Sequence, residues 1–176
     1  EQVGNAHSGT APYDSYRATD GWVVIAVASN KLWRRLAEAI GRPELGRDDR
    51  FRAARSRIER RDEVNGLISA WVEPQTVDQV VTALGPDGAG VPCSPVHTVD
   101  QLLGHPQLIA RGMVGRFPDS EHGELVVPGI VPKMSDTPTE VRSVGPDIGQ
   151  HNAEIYGELL ALTADDLAGL RERKVI

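Results

Sequence analysis

Residues 13–28 read "YDSYRATDGWVVIAVA", and this stretch decides the fold class. An unbroken apolar run, 22–28, follows a shorter segment, 13–18. Between the two stands Asp20-Gly21, a pair of residues that is favoured in tight hairpin turns. The pattern predicts two antiparallel strands joined by a turn. Because the second strand is apolar on both faces, we expect it to be covered on both sides.

Helical patterns follow this hairpin along the chain. Ser29 or Asn30 can cap a helix that ends near Ile40, because Gly41 is a typical helix terminator. The same reasoning predicts further helices at 58–72, 76–84, 98–104 and 105–111.

Two further segments favour extended structure. Residues 91–96 contain two prolines, which a helix interior excludes, and residues 113–117 and 124–127 predict a second hairpin that turns around 120–123. The layout is therefore α+β, with antiparallel β-hairpins and several short helices.

Four parts of the chain differ in character. Residues 1–12 read as a loop that enters a small α+β domain at 13–134, and 135–149 form a linker with two prolines. A helical tail follows at 150–176, with helices expected at 150–160 and 163–173. This tail is too small to form a core alone, so we expect it to dock on another surface.

Composition narrows the classes of function. The chain has 176 residues, a net charge of −6 and 40% hydrophobic residues. This charge argues against nucleic-acid and acidic-membrane partners, and no apolar run approaches the ~20 residues of a membrane helix. A single cysteine, Cys93, excludes an intrachain disulfide and favours the cytoplasm. Since the sequence begins at Glu1, we expect it to be processed, engineered or part of a longer protein.

The residue patterns alone identify no catalytic constellation. We expect no metal site, because the histidines lack close second ligands, and the spacing of His151 and Glu154 is common at exposed helix starts. Cys93 lies in an apolar strand, which favours an inert thiol over a nucleophile. The arginine-rich segment 47–61 could bind phosphates, but its interleaved carboxylates favour an ion-paired surface.

The last 32 residues carry the most specific pattern, "GPDIGQHNAEIYGELLALTADDLAGLRERKVI", at 145–176. They resemble the C-terminus of the family III CoA-transferases, which include formyl-CoA transferase, carnitine CoA-transferase and α-methylacyl-CoA racemase. The matching positions are Pro146, Gly149, His151, Glu154, Ile155, Leu170, Val175 and Ile176. Three more stretches are similar to segments of the family and stand in the family's order: 11–45, 88–114 and "VPKMSDTP" at 131–138.

The resemblance implies that the chain corresponds only to the second half of such an enzyme. In this family the first half carries a Rossmann-like large domain, most CoA contacts and the catalytic aspartate, or the His/Asp pair of the racemases. No catalytic residue is therefore expected in this chain, and the chain alone is expected to be inactive. The family also implies an interlocked homodimer, in which the C-terminal helices return to the large domain.

A loop before the central hairpin is the candidate substrate-binding site. In formyl-CoA transferase-like members, a glycine-rich loop at this place closes over the catalytic aspartate. The matching residues are "GNAHSGTAP" at 4–12, in which only two glycines of that loop remain. The candidate substrate-binding residues are Gly4, Asn5, His7, Ser8 and Gly9. A plain linker into the small domain is the alternative interpretation.

The resemblance predicts a CoA-transferase that moves CoA from an acyl-CoA donor to a carboxylic acid through aspartyl-anhydride and thioester intermediates. The coenzyme A thioester is a substrate, and no resident cofactor is expected. Expected partners are a second copy of the chain, the missing N-terminal half, or both. Two alternatives stay open: a 2-methylacyl-CoA racemase of the same superfamily, and a non-catalytic binding or assembly module.

Overall fold

The computed structural model describes residues 4–119 and 121–176. It divides the chain into two compact units, one ending at Thr98 and one running from Val99 to Ile176. Residues 1–3 of the expected loop, and Ser120 of the expected second turn, lie outside the described residues. The division falls before the linker at 135–149, because the second hairpin belongs to the later unit. The domain boundaries of a longer enzyme stay a prediction.

The first unit contains a three-stranded antiparallel sheet. Its strands are β1 (Tyr13–Arg17), β2 (Trp22–Ala26) and β3 (Cys93–Pro95), in the order β1-β2-β3. Val24 of β2 lies opposite Ser15 on one side and Ser94 on the other. The predicted hairpin is therefore confirmed, and the apolar strand lies in the centre of the sheet.

The two faces of β2 differ in burial. Val23 and Ile25 are fully buried, whereas Val24 on the other face is half-buried and Trp22 is exposed. The expectation that both faces are covered is therefore wrong for this chain. The reason is that the helices of the first unit pack against one face of β2 and bury its alternate side chains.

Four helices accompany this sheet. They are α1 (Asn30–Ala39), α2 (Ala54–Glu59), α3 (Arg61–Val72) and α4 (Val77–Leu84), with a 3₁₀ turn at Pro43–Gly46. The Ser29 hydroxyl accepts a hydrogen bond from the Leu32 N–H, and Thr76 forms a capping box with Gln79. These caps confirm the predicted starts of α1 and α4. The single helix expected at 58–72 is two helices, because the backbone at Arg60 leaves the helical region.

One core holds the first unit together, and its side chains are mostly aliphatic. Trp33 is fully buried and donates its indole N–H to the Leu45 carbonyl at 3.0 Å. The largest buried apolar side chains are Trp33, Phe51, Ile25, Leu36, Ile68, Leu84, Val23, Val27, Val64, Val72 and Val80.

The second unit consists of short elements. They are α5 (Val99–Leu103), α6 (Pro106–Ala110), the antiparallel strands β4 (Val114–Asp119) and β5 (Gly123–Pro128), a π-helical segment (Ala153–Leu159) and α7 (Ala164–Glu172). Leu167 is the one large apolar side chain that is buried in the described part of this unit. The small antiparallel sheets and several helices confirm the α+β class.

Candidate functional site

The candidate loop, residues 4–12, leads directly into β1 and belongs to the first unit. Its middle forms a tight turn in which the Thr10 N–H points to the His7 carbonyl at 3.5 Å. Gly4 adopts a positive φ of 65°, which a residue with a Cβ rarely adopts. Of the candidate residues, Gly4, Asn5, His7, Ser8 and Gly9 are all exposed, so the loop presents them to solvent.

His7 has a defined orientation in this loop. Its ring stacks on Tyr13 with 5.2 Å between centroids, and its backbone N–H donates to the Tyr13 carbonyl at 2.9 Å. Its Nδ1 accepts the Gly9 N–H at 3.1 Å. Because one nitrogen of a neutral imidazole donates and the other accepts, this bond places the proton on Nε2. His7 can therefore offer an N–H donor to an anionic ligand.

Asn5 and Ser8 add two polar groups to the loop. The Asn5 side-chain amide donates to the Ser15 hydroxyl at 3.0 Å, which joins the start of the loop to β1. Ser8 lies at the tip of the turn and is exposed. The loop sequence contains no carboxylate or thiol, so it can bind an anion but supplies no such nucleophile.

Two arginines from the helices hold the backbone of this loop. Arg61, the first residue of α3, donates from Nη1 to the His7 carbonyl at 2.7 Å and from Nη2 to the Ser8 carbonyl at 2.9 Å. Arg57, in α2, donates from Nε to the Ala11 carbonyl at 2.9 Å. These bonds therefore fix the loop to the helices of the first unit. A loop that only links two parts of the chain would not need such bonds.

Arg57 is fully buried without a carboxylate partner among the described residues. Besides Ala11, its guanidinium donates to the Phe51 carbonyl at 2.8 Å and to the Asn30 side-chain oxygen at 3.2 Å. It lies over the Trp33 ring, 5.4 Å from the centroid. Burial lowers the pKa of the Arg57 guanidinium below its usual value.

Three other arginines of this segment fit the ion-paired surface that the sequence favoured. Arg50 pairs with Asp48 at 2.8 Å, Arg52 with Asp49 at 2.7 Å, and Arg55 with Glu59 at 3.0 Å. Arg57 and Arg61 were not among the predicted site residues. A signal in the sequence exists for Arg61, because positions 61, 64, 68 and 72 have helical spacing and the last three are apolar.

The arginines that could bind phosphates line a cleft away from the loop at 4–12. An open cleft of about 730 Å³ between α1 and residues 43–53 is lined by Arg34, Arg47 and Arg52, together with Glu38. Arg52 is already paired with Asp49. The cleft brings basic side chains together, but the carboxylates beside them reduce its positive charge.

A buried polar chain anchors β1 beside the loop. The Tyr16 hydroxyl donates to the Asn65 side-chain oxygen at 2.8 Å, and the Asn65 amide donates to Asp14 at 3.1 Å. Burial, with a smaller contribution from the Asp14 charge, raises the pKa of Tyr16 well above its usual value of 10. Asp14 is the carboxylate nearest the loop in sequence. Because it accepts the hydrogen bond of the Asn65 amide, we assign it a structural role.

The other residues considered for chemistry are Cys93 and the pair His151 and Glu154. Burial raises the pKa of the half-buried Cys93 thiol, which favours the inert interpretation. His151 and Glu154 contact each other at 3.1 Å. In the described ranges, no group of three or more His, Cys, Asp or Glu side chains could hold a metal ion. Within the same residues, no helix has the length and apolar character needed to cross a membrane.

Sequence comparison links the chain to one family. The sequence profile of CoA-transferase family III matches residues 1–152. Succinyl-CoA–D-citramalate CoA-transferase from Chloroflexus aurantiacus is 40% identical over 177 residues, covering 100% of the chain and 44% of that enzyme. Formyl-CoA:oxalate CoA-transferase from Streptomyces coelicolor is 32% identical over 176 residues, covering 98% of the chain and 42% of that enzyme. The chain thus spans less than half the length of these relatives.

Solved structures agree with the sequence match. A CaiB/BaiF family protein from Brucella suis superposes with a TM-score of 0.70 at 28% identity, covering 90% of the chain and 40% of that protein. The protein Rv3272 from M. tuberculosis superposes with a TM-score of 0.69 at 26% identity, covering 82% of the chain and 40% of that protein. By the profile match, the curated relatives and the fold, the chain belongs to CoA-transferase family III.

Proposed function

We propose that the chain is the C-terminal portion of an enzyme that transfers CoA from an acyl-CoA donor to a carboxylic acid. The observation that carries this proposal is the family match over residues 1–152, supported by a relative that is 40% identical over the whole chain. In this proposal the nucleophile is a carboxylate outside the chain, and transfer runs through an aspartyl anhydride and an enzyme-bound thioester. The CoA thioester is a substrate, and no resident cofactor takes part.

The loop at 4–12 supplies the contribution of this chain to the substrate site. His7 offers an Nε2–H donor, because Nδ1 is occupied by the Gly9 N–H. The exposed Ser8 hydroxyl lies next to it along the turn. Hydrogen-bond donors of this kind bind carboxylate oxygens well, since a charged acceptor strengthens the bond. We therefore propose that the carboxylic acid binds against this loop.

The names of the relatives suggest the class of acid. They include succinyl-CoA–D-citramalate, succinyl-CoA–L-malate, formyl-CoA:oxalate and succinate–glutarate CoA-transferases. Citramalate, malate, oxalate, succinate and glutarate are all dicarboxylic acids. A dicarboxylic acid keeps a second, unreacted carboxylate during transfer, and the donors of the loop suit that group. We propose a dicarboxylic acid as acceptor.

The proposed enzyme is cytoplasmic and contains more than one chain or domain. A homodimer or the missing N-terminal half would complete the site, and some relatives are named as alpha and beta subunits. The 2-methylacyl-CoA racemase and the non-catalytic module remain the alternatives, and both are outcomes of the same experiment.

The test uses the longest natural protein that contains this sequence, beside the 176-residue chain alone. Each is incubated with succinyl-CoA and one of D-citramalate, L-malate, oxalate or glutarate, and the acyl-CoA products are separated by chromatography. We expect transfer by the longer protein and none by the chain. Transfer by the chain alone would contradict the placement of the nucleophile. In a parallel incubation with a 2-methylacyl-CoA, epimerisation without CoA transfer would favour the racemase, and the absence of both reactions would favour the module.

A loop variant makes the test specific to this chain. His7→Ala in the longer protein is expected to raise the KM for the acid about tenfold, the loss of one hydrogen bond to a charged group. His122→Ala, which removes an exposed imidazole of the second unit, is the matched control and should leave KM unchanged. Equal KM values for both variants would place the acid away from the loop.

A further inference from the structure

We infer that Arg61 is a positioning residue whose guanidinium holds the loop at 4–12 in the conformation that turns His7 Nε2–H outward. This inference deepens the proposed function, and its kinetic consequence rests on that function. Among the residues that the structure describes, Arg61 donates only to backbone carbonyls, so it acts on a substrate through the loop.

The geometry of the contact carries the inference. Nη1 donates to the His7 carbonyl at 2.7 Å and lies 3.4 Å from the Thr10 carbonyl, while Nη2 donates to the Ser8 carbonyl at 2.9 Å. Two nitrogens of the planar guanidinium thus bind the successive carbonyls of His7 and Ser8, which lie 54 and 53 residues before Arg61 in the sequence. A lysine ammonium is a single point of charge and lacks this fork.

The position of Arg61 in its helix argues against a local role. It is the first residue of α3, where the helix dipole disfavours a cation and favours the carboxylates that follow at Asp62 and Glu63. Among the described residues, no carboxylate pairs with Arg61 within 4.0 Å. The loop carbonyls are therefore the groups that offset the charge of Arg61. Because an arginine at this position destabilises the helix, we infer that Arg61 acts through its contact with the loop.

The contact also fixes the chemistry of His7. The carbonyls that Arg61 holds belong to the turn whose Gly9 N–H occupies His7 Nδ1 at 3.1 Å. When the turn opens, that bond is lost and either nitrogen of the neutral ring can carry the proton. Arg61 thus selects the tautomer with Nε2–H, which is the donor that a carboxylate ligand requires.

The tautomer of His7 is measured by long-range ¹H–¹⁵N NMR on the 176-residue chain, and His7→Ala assigns the signals. We expect a single Nε2–H tautomer in the unchanged chain. Arg61→Ala and Arg61→Lys should each give a mixture of tautomers, and added guanidinium ion should restore the single tautomer in Arg61→Ala. Arg55→Ala is the matched control, because Arg55 is exposed and pairs only with Glu59 in the same segment.

Kinetics of the longer protein give the second measurement. Arg61→Ala should raise the KM for the acid by a factor similar to that of His7→Ala, about tenfold, and the double variant should be no worse than either single one. An unchanged tautomer in both Arg61 variants would overturn the inference. If the longer protein shows no CoA transfer, the proposed function fails while the tautomer measurement still decides the role of Arg61. If Arg61→Ala fails to fold, Arg61→Lys decides it.

Discussion

The Nε of Arg57 donates a hydrogen bond of 2.9 Å to the carbonyl of Ala11, 46 residues earlier in the chain. Arg57 is fully buried, and Ala11 is the last residue of the loop before Pro12 and β1. Together with Arg61, it makes two arginines from consecutive helices that hold successive parts of one loop. The loop that precedes β1 is thus built into the first unit, although its residues 4, 5 and 7–9 are exposed.

Replacing Arg57 should destabilise the first unit strongly. Arg57→Met keeps the length of the side chain but leaves the Ala11 and Phe51 carbonyls without a donor. Each unsatisfied buried group costs about 1–3 kcal/mol, so we expect a loss of about 3 kcal/mol or more in the free energy of unfolding. Urea denaturation followed by tryptophan fluorescence measures it, because all three tryptophans, Trp22, Trp33 and Trp71, belong to this unit.

Arg55→Met is the matched control for this measurement. Arg55 is exposed and pairs with Glu59 one helical turn away, and such surface pairs contribute little. We expect a change of at most about 0.5 kcal/mol. Similar denaturation midpoints for the two variants would show that the bonds of Arg57 carry no net stability.

The two faces of β2 should respond differently to a charge. Ile25→Asp places a carboxylate at a fully buried position without a partner and should cost several kcal/mol, enough to unfold the first unit. Val24→Asp lies on the half-buried face, where water can reach the carboxylate, and should cost about 1 kcal/mol. Urea denaturation and circular dichroism measure both. Equal losses would mean that the second face of the sheet is covered in solution.

The local elements were predictable because their signals are local. Asp20-Gly21 marked the hairpin, Ser29 and Thr76 marked helix starts, and these features depend on residues within a few positions. The apolar run at 22–28 could not reveal that one face of β2 is only partly buried. Burial of a face depends on the elements that pack against it, and the sequence of the strand does not specify them. The loop's candidate residues came from family resemblance.

The two arginines that hold the loop could not be predicted with the same ease. Arginine is a surface residue on average, whereas Arg57 is buried and donates to the carbonyls of Ala11, 46 residues earlier, and Phe51, six residues earlier. Those carbonyls become neighbours through the tertiary fold, so propensity and charge pattern favoured an ion-paired surface instead. That interpretation holds for Arg52 and Arg55, whose partners are three and four residues away.

Tyr16 should make the first unit sensitive to alkali. Burial raises the pKa of Tyr16 above the value of 10 that the unfolded chain has, so the neutral hydroxyl stabilises the folded state. This contribution is fully present below pH 10 and decreases as the pH rises above 10 towards the folded-state pKa. We expect Tyr16→Phe to lose less stability than the unchanged chain as the pH rises from about 9 to 12.

The exposed Tyr13 provides the comparison for this pH series. Tyr13→Phe removes one hydroxyl at the surface and leaves the contact between Tyr16 and Asn65 in place. The measurement is the urea midpoint at each pH, with tyrosinate absorbance recorded in parallel. Parallel pH curves for Tyr16→Phe and the unchanged chain would contradict the expected titration.

The tail should drive association of the chain with a second copy. Leu159 and Leu160 expose 75% and 57% of their surface, whereas Leu167 in α7 exposes 5%. Burying a leucine side chain gives about 1.5–3 kcal/mol, so two exposed leucines favour a partner surface. We expect a concentration-dependent dimer in sedimentation, and monomers for a chain that ends at Thr137. The double variant Leu159→Ser, Leu160→Ser should also be monomeric and keep its circular dichroism, whereas Leu167→Ser should lose tail helicity. If the unchanged chain stays monomeric at all concentrations, the prediction is wrong. The exposed leucines would then bind a different partner, such as the N-terminal half of the proposed enzyme.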